Sequence, residues 1–280
     1  KRRMHVKKSF QIPLFALKKY NETFDNKYIT MMEKSLKESE NVIEYFHSLP
    51  IKIKKEIREN NPKHLSDIYN TMTSTYAFLQ KSDKMYESAT KGLNEIRRYS
   101  KGADRNSNLL EAYHQVILAS IGNKNLNDAV YYLNQSKNIA TQLVKSSKGL
   151  EVIGGMTSFQ LPFLINAGLY AEAEDLLDFI NNFIKFDTSI VIGRFQEDTF
   201  NYSLGRLNLV KKDYTKAIYH FELASLHYLE KPEAGVYNMY SAFANLLLLE
   251  AYIENKDLVK FEKQFELLTG VKPINYKSLN

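Results

Sequence analysis

A spacing of 44 residues constrains the fold of this chain more than any other feature. Ala217 lies between two larger residues, Tyr214 three positions before it and Phe221 four positions after it. Related arrangements recur at the same interval along the chain. The five equivalent positions are Met85, Ala129, Ala173, Ala217 and Phe261. Self-similarity at a fixed period in this range is typical of a solenoid, in which supersecondary units stack on one another.

Each repeat is predicted to form two helices joined by a short polar break. In the best-preserved repeat, Phe200, Leu204 and Leu207 follow helical spacing. The polar segment 211–213 interrupts this pattern, and the second helix is predicted to begin at Tyr214. The corresponding starts in three other repeats are Leu126, Tyr170 and Leu258. A small residue near the start of the second helix lets the paired helices approach closely, and the bulky residues around it fill the space between hairpins.

The segment LGRLNLVKKDYTKAIYHFELA, residues 204–224, resembles a tetratricopeptide repeat. That family places a Leu-Gly pair in the first helix, and Tyr, Ala, an aromatic residue and Ala in the second. The matching residues are Leu204, Gly205, Tyr214, Ala217, Phe221 and Ala224. The resemblance covers about residues 63–270, and Met85 and Phe261 depart from it in the first and last repeats because they replace the small residue.

The length of the repeat departs from the standard tetratricopeptide unit. That unit has 34 residues, whereas HEAT and armadillo units span roughly 40–47 residues. The period alone would therefore allow the second class, but the alternation of small and aromatic residues favours the first. Ten additional residues shared between two helices lengthen each helix by about 7 Å. Long repeats of the tetratricopeptide type are familiar in peptide-sensing bacterial regulators and in kinesin light chains.

The sequence thus predicts an all-α protein, an α-solenoid of helical hairpins without sheets. The resemblance implies that the hairpins stack as a right-handed superhelix. We expect residues 1–8 to form a basic tail or linker end, residues 9–62 an N-terminal helical cap, residues 63–270 about five repeats, and residues 271–280 a C-terminal tail. A cap covers the open face of the first repeat, which solenoids need for solubility.

The positive charge of the chain is concentrated at its start. The formal net charge is +6, from 38 Lys and Arg residues and 32 Asp and Glu residues. Five of the basic residues lie in the first eight positions, KRRMHVKK, so the remainder has 33 basic and 32 acidic residues. Such a tail can contact nucleic acid or an anionic surface, although we favour a solvated linker end. The first residue is Lys1 rather than Met, which is compatible with a trimmed upstream domain.

The sequence contains no familiar catalytic or phosphate-binding motif. The patterns GxxxxGK[ST], GxGxxG, HExxH and GxSxG are absent. Cysteine is absent too, which excludes disulfides and thiolate sites and fits a reducing compartment such as the cytoplasm. His220 and His227 share one predicted helix and could ligate a metal, but packing or surface roles are favoured because no third ligand is evident. We therefore expect no enzyme activity, no cofactor and no metal.

The sequence also predicts no membrane-spanning helix. The longest nearly continuous apolar run, residues 242–253, contains Asn245 and Glu250. A transmembrane helix needs about 20 predominantly apolar residues. This run is therefore too short and too polar to span a bilayer.

One repeat has an irregular first helix. Gly154 and Gly155 lie where the other repeats begin this helix, and Pro162 falls in its middle. Proline in a helix interior removes a backbone hydrogen bond and clashes with the preceding turn. The helix is therefore predicted to be short or kinked. The irregularity is either a tolerated kink or a hinge or ligand-approach point near the middle of the array.

The resemblance also implies a function. Arrays of this family are usually interaction scaffolds whose first helices line a concave groove for a protein or peptide. The groove positions carried over to this chain are Asn70, Ser74, His114, Leu118, Ser158, Asn166, Tyr202, Arg206, Leu246 and Glu250. Their weakly charged character does not favour an acidic peptide terminus as the ligand. We expect an extended segment to bind near the third and fourth repeats, where Asn166, Tyr202 and Arg206 offer donors and an aromatic face.

Two alternatives from other classes remain open. The chain could be the peptide-sensing effector domain of a bacterial transcriptional regulator whose DNA-binding domain lies upstream, which the basic start and the long repeats favour. The other alternative is an enzyme on a solenoid scaffold, which no motif supports. Nucleic acid would be contacted only through an upstream domain or the basic tail, and the chain could form oligomers.

Overall fold

The computed structural model describes residues 25–144, 152, 154–186, 194–230 and 239–270. The predicted basic tail at 1–8, the first part of the predicted cap at 9–24 and the predicted tail at 271–280 lie outside these residues. The described part of the chain is helical apart from turns and short connections, and none of its residues forms a strand. The predicted all-α class is therefore confirmed for these residues.

Twelve α-helices occur in the described residues. They are α1 (Lys27–Ser48), α2 (Ile51–Asn60), α3 (His64–Phe78), α4 (Ser82–Tyr99), α5 (Arg105–Gly122), α6 (Leu126–Val144), α7 (Leu161–Asn166), α8 (Tyr170–Phe186), α9 (Arg194–Val210), α10 (Tyr214–Glu230), α11 (Met239–Glu254) and α12 (Leu258–Thr269). A π-helical segment, Met156–Gln160, directly precedes α7.

The chain divides into two compact units, residues 1–149 and 150–280. In the first unit, α3 pairs with α4 and α5 pairs with α6, and the two hairpins meet where α4 packs on α5. In the second unit, α7 pairs with α8, α9 with α10 and α11 with α12, and α10 packs on α11. Each unit is therefore built from consecutive helical hairpins.

Within each unit, the first helices of successive hairpins also pack on one another. Helix α3 contacts α5 in the first unit, and α9 contacts both α7 and α11 in the second. Among the described residues, the second helices of successive hairpins make hardly any such contacts. The first helices are thus drawn together along one side of each unit.

The same turn closes all five hairpins of the described chain. One residue in each turn has a φ angle between 56° and 76°, in the left-handed region. These residues are Gln80, Lys124, Gly168, Lys212 and Lys256, each 44 positions after the last. The second helices begin two residues later, at Ser82, Leu126, Tyr170, Tyr214 and Leu258. The four starts predicted from the sequence are therefore confirmed.

The backbone hydrogen bonds of these turns are equally uniform. In each turn, the residue after the left-handed position donates its N–H to the carbonyl five residues back, over 2.8 to 2.9 Å. Lys212 illustrates the second bond, since its N–H donates to the carbonyl of Leu209 over 3.0 Å. This pair of bonds defines a Schellman motif, which satisfies carbonyls at the end of the first helix.

Small residues of the repeat are buried where helices meet. Ala129, Ala173 and Ala217 are each 0% exposed. The larger residues four positions later, Leu133, Leu177 and Phe221, are buried as well. The predicted burial of the small residue is therefore confirmed at these alanines.

Two of the bulky residues at the start of the second helices are exposed. Leu126 is 37% exposed and Leu258 is 62% exposed. They directly follow the turn at the edge of the hairpin, where little of the neighbouring helices covers them. The prediction that these residues fill the space between hairpins is therefore wrong at these two positions.

Gly205 allows α9 and α10 to pack closely. A Cβ atom at this position would lie 2.5 Å from the ring of Phe221. Carbon atoms in favourable contact lie about 3.5–4.0 Å apart, so any side chain here would displace the ring. Phe221 is fully buried and shares a core with Ala217, Ala224 and Leu248. The glycine of the Leu-Gly pair thus has a direct packing role.

The N-terminal helices share a core with the first hairpin. Leu36 and Phe46 of α1 are buried in the same cluster as residues of α3 and α4. Arg58 of α2 donates two hydrogen bonds to the carboxylate of Glu95 on α4, over 2.8 and 2.6 Å. The Arg58 guanidinium carbon lies 4.8 Å from the ring centroid of Phe46 and 4.3 Å from that of Tyr99. These contacts fix α2 against α4.

The irregular first helix contains a widened turn. Gly154 and Gly155 are helical, and the π-helical segment Met156–Gln160 follows them and continues into α7. The N–H of Leu161 donates to the carbonyl of Met156, five residues back. Pro162 lies in the first turn of α7 and is buried. The predicted irregularity therefore lies where expected, and the π turn accommodates the proline because it changes the preceding hydrogen-bond pattern.

We expect the residue at the left-handed turn position to affect the free energy of unfolding. A left-handed conformation costs a non-glycine residue roughly 1–2 kcal/mol, so Lys212→Gly should raise the free energy of unfolding by about 1 kcal/mol. Gly168→Ala should lower it by a similar amount, and no atom within 4 Å of the added Cβ complicates that effect. Urea denaturation of both variants measures the changes. A lower midpoint for Lys212→Gly would contradict the assignment of strain to this position.

We also expect Gly205→Ala to destabilise the second unit. The added Cβ would overlap the Phe221 ring, and overpacking of this kind costs about 1–3 kcal/mol or more. Gly122→Ala is the matched control, because its Cβ would lie an ordinary 3.4 Å from Met85 Sδ. Thermal unfolding followed by circular dichroism should show a lower Tm for Gly205→Ala alone. Equal Tm values for the two variants would refute the packing role.

Candidate functional site

Arg206 is held by a neutral partner. Its Nη1 donates a hydrogen bond to Oδ1 of Asn166 at the end of α7. The guanidinium carbon lies 5.8 Å from the ring centroid of Tyr202. In the described part of the chain, no carboxylate forms an ion pair with this guanidinium. The arginine is therefore oriented, and its charge has no carboxylate partner among the residues that the structure describes.

Tyr202 belongs to the core and does not present an aromatic face to a ligand. It is 7% exposed, and its ring centroid lies 5.2 Å from that of Tyr240. The rings of Phe221 and Phe243 lie at 6.4 Å. The expected role of Tyr202 as an exposed aromatic surface is therefore wrong, because three neighbouring rings surround it.

An exposed aromatic residue of this region is Phe243 on α11. It is 44% exposed, and Leu246 on the same helix is 58% exposed. Glu250 is exposed one helical turn further on. Leu246 and Glu250 thus face solvent as the groove prediction requires. Phe243 was missed, although it precedes Leu246 by three residues and therefore shares its side of the helix.

We use the name α9 face for five residues, polar and apolar, that lie on α9 and on the two helices packed against it. It consists of Asn166, Arg206, Phe243, Leu246 and Glu250. Helix α9 packs on both α7 and α11, so the three contributing helices are neighbours. Arg206 and Asn166 provide hydrogen-bond donors at one side, and Phe243 and Leu246 provide an apolar area at the other. Such a surface can hold an extended segment through backbone hydrogen bonds and one apolar side chain.

The predicted groove residues of the first unit are less available. Oδ1 of Asn70 is buried, and a Cβ added at Gly92 of α4 would lie 3.3 Å from it. Leu118 packs against the core. Ser74 is exposed. The amide oxygen of Asn70 therefore lies towards the partner helix of its own hairpin, so this unit offers fewer groove contacts than predicted.

His114 is a partly buried histidine of α5. Its Nε2 atom is buried without a hydrogen-bond partner among the described residues. Burial lowers the pKa of the imidazole to about 4 from its ordinary value of 6.5. The side chain therefore stays neutral at physiological pH and does not supply a positive charge to the groove.

Two further sequence hypotheses concern Ser158 and the histidine pair. Ser158 lies in the π-helical segment, and its side chain lies outside the described residues. His220 has its Nδ1 at 3.1 Å from Oδ1 of Asn201, whereas the side chain of His227 lies outside the described residues. The part of the chain that the structure describes contains no group of three potential metal ligands.

Within residues 25–270, apart from the gaps in the description, no helix combines the length and the apolar character needed to cross a bilayer.

The chain is similar in structure to BtubC (BKLC) from P. vanneervenii. The crystal structure of that protein matches with a TM-score of 0.61 and 12% sequence identity, covering 87% of this chain and 94% of the other. At this identity the likeness concerns the fold, and it supports a helical, repeat-like architecture. No family model matches the sequence, and no curated protein matches it significantly.

The lowered pKa of His114 predicts a dependence of stability on pH. The unfolded chain takes up a proton near pH 6.5 and the folded chain only near pH 4. The unfolded state therefore binds more protons between these values, and stability falls as the pH is lowered. Between pH 7 and pH 5 this histidine should account for a loss of about 2 kcal/mol.

Urea denaturation at both pH values, compared between the wild-type chain and His114→Gln, isolates this contribution. The variant should lose about 2 kcal/mol less than the wild type between pH 7 and pH 5. Equal losses would show that His114 is solvated in the folded chain.

Proposed function

We propose that this chain is a non-enzymatic scaffold of the tetratricopeptide type that binds a protein or peptide segment. The proposal includes right-handed superhelical stacking of the hairpins within a unit and a capping role for α1 and α2. The repeated left-handed turns support it, as does the burial of alanines at equivalent positions. The packing of Gly205 against Phe221 supports it further, because the family has a glycine and an aromatic residue at these positions.

The oriented charge of Arg206 carries the proposal. Asn166 accepts one of its hydrogen bonds and positions the guanidinium without neutralising it. Arginine has five N–H donors, so several remain for a ligand carbonyl or carboxylate. An arginine that served only to stabilise the fold would more commonly be paired with a carboxylate, as Arg58 is with Glu95.

The apolar part of the α9 face adds a second type of contact. Phe243 and Leu246 are 44% and 58% exposed on the same helix. Burying a large apolar side chain contributes about 1.5–3 kcal/mol. A ligand segment with an apolar residue over these side chains and a polar group at Arg206 would use both parts. We therefore place the ligand on the second unit, near the third and fourth repeats.

Arg206 should contribute to the binding free energy through a hydrogen bond from its charged guanidinium. A hydrogen bond to a charged group contributes about 1.5–3 kcal/mol. Removing it should weaken binding by roughly one to two orders of magnitude, since each 1.4 kcal/mol corresponds to a factor of ten.

A peptide selection followed by calorimetry tests the proposal. Peptides would be selected from a random phage-displayed library on the immobilised wild-type chain, and their Kd values measured by isothermal titration. Arg206→Gln and Leu246→Asp should each raise Kd by about tenfold or more. Leu226→Asp is the matched control, because Leu226 is 57% exposed, close to the 58% of Leu246, but lies on the second helix α10.

The Kd values of these variants show whether the peptide binds at the α9 face or elsewhere on the surface. Loss of affinity in Leu246→Asp with retention in Leu226→Asp supports the proposal. Equal affinities of the Arg206→Gln and Leu246→Asp variants and the wild type would contradict it, provided that circular dichroism shows all variants to be folded. Tyr202 is unsuitable for this test because it is part of the core.

A further inference from the structure

A cationic cleft lies in the first unit, between α2 and the end of α4. Its volume is about 770 Å³, within the range of about 300–1,000 Å³ that is typical of ligand sites. The lining residues are Ile51, Lys54, Lys55, Arg58, Glu59, Pro62, Arg98, Tyr99 and Lys101. Five of these residues are basic and one is acidic. This local excess contrasts with the nearly neutral composition of the chain after its first eight residues.

The charges that line the cleft are only partly compensated. Lys55 lies 3.7 Å from the carboxylate of Glu59, and Arg58 is paired with Glu95. Lys54 donates to the backbone carbonyl of His47, which leaves its charge intact. In the described residues, neither Lys54 nor Arg98 nor Lys101 forms an ion pair with a carboxylate. Three positive charges at the cleft thus have no carboxylate partner in the described part of the chain.

The cleft is assembled by the contacts of Arg58. This residue binds Glu95 and lies over the ring of Tyr99, which brings the basic helix α2 beside the basic end of α4. The two basic segments are about 40 residues apart in the sequence. Their clustering is therefore a property of the fold, and neither segment alone indicates it.

The cleft also has apolar components. Ile51 is 82% exposed, and Pro62 and Tyr99 contribute to the lining. An exposed isoleucine beside uncompensated lysines and arginines fits a ligand that combines acidic groups with an apolar side chain. The concave shape suits a narrow segment of chain better than a flat bilayer surface.

Nucleic acid is a less suitable ligand for this cleft. Single strands are usually held by stacking of bases on exposed aromatic rings. The guanidinium of Arg58 already lies 4.3 Å from the Tyr99 ring centroid, so one face of that ring is covered. Tyr99 is also the only aromatic residue among those that line the cleft.

We propose that this cleft is a docking site for an acidic segment of a partner protein, in which carboxylates flank an apolar residue. Lys54, Arg98 and Lys101 would contact the carboxylates, and Ile51 would contact the apolar residue. Complementary charge of this kind accelerates association and selects the partner. The site lies on the first unit and does not depend on the α9 face, so the two proposals can fail separately.

Fluorescence anisotropy with a defined probe tests this site. The probe is a fluorescein-labelled peptide of Glu residues around a central Leu, and the comparison peptide has Gln in place of every Glu. The double variant Arg98→Glu, Lys101→Glu should raise the Kd of the Glu peptide by about tenfold or more. The control variant Lys84→Glu, Lys91→Glu changes the net charge equally but lies on α4 outside the cleft, and it should change Kd by less than about twofold.

Two further measurements complete the test. Ile51→Ser should weaken binding of the Glu peptide, whereas it should leave a variant peptide with Ser in place of Leu unaffected. A single-stranded oligonucleotide and vesicles of phosphatidylcholine with phosphatidylserine provide the competing ligands. Circular dichroism shows whether each variant is folded.

The possible results either support or overturn the assignment. The assignment is supported if Arg98→Glu, Lys101→Glu loses affinity for the Glu peptide, the control double variant keeps it, and the Gln peptide shows no such loss. Equal losses in the two double variants would show a general charge effect and overturn it. Cleft-dependent binding of the oligonucleotide or the vesicles without binding of the Glu peptide would overturn it as well, as would no binding at about 1 mM peptide.

Discussion

The left-handed residue between the two helices of each hairpin determines where the second helix of that hairpin begins. It reverses the chain within a few residues, and its two backbone hydrogen bonds satisfy the last carbonyls of the first helix. The second helix then starts at the same offset in all five described hairpins. Because this offset is constant, the small residues of the second helix meet the first helix at the same height, and a residue such as Gly205 lies opposite Phe221. The packing of each hairpin thus depends on the backbone geometry of its turn.

The sequence predicted the helical class, the interval and four helix starts because small and large residues alternate at the buried positions. It did not reveal the left-handed turn residue, since three of the five are lysines and one is Gln80, which leaves only Gly168 as a glycine. Tyr202 was predicted to be exposed, because spacing on one helix does not show which neighbouring rings cover it. The basic cleft was not predicted either, because it joins two segments through the contacts of Arg58. Features set by one helix pair were therefore accessible from the sequence, whereas features set by several helices were not.

The two units differ in the chemistry that they offer to other molecules. The first unit has buried polar atoms on its first helices and a cationic cleft at α2 and α4. The second unit has an oriented arginine beside exposed apolar residues. Both units use the same hairpin and the same turn, so these differences come from a few side chains on a shared framework. This agrees with the general observation that function is located in sites carried by a fold and is not specified by the fold itself.

The uniform turn has a consequence for how the length of such a chain can change. A segment of 44 residues that runs from one turn to the next, such as residues 213–256, begins and ends at equivalent backbone positions. Its deletion or duplication would join one left-handed turn to another of the same geometry, and no helix would be shortened or shifted in register. An insertion of another length within a helix or a turn would shift the register of the residues that follow it. The chain can therefore gain or lose material most readily in segments of 44 residues, each made of the second helix of one hairpin and the first helix of the next, and each segment can carry its own surface residues with it.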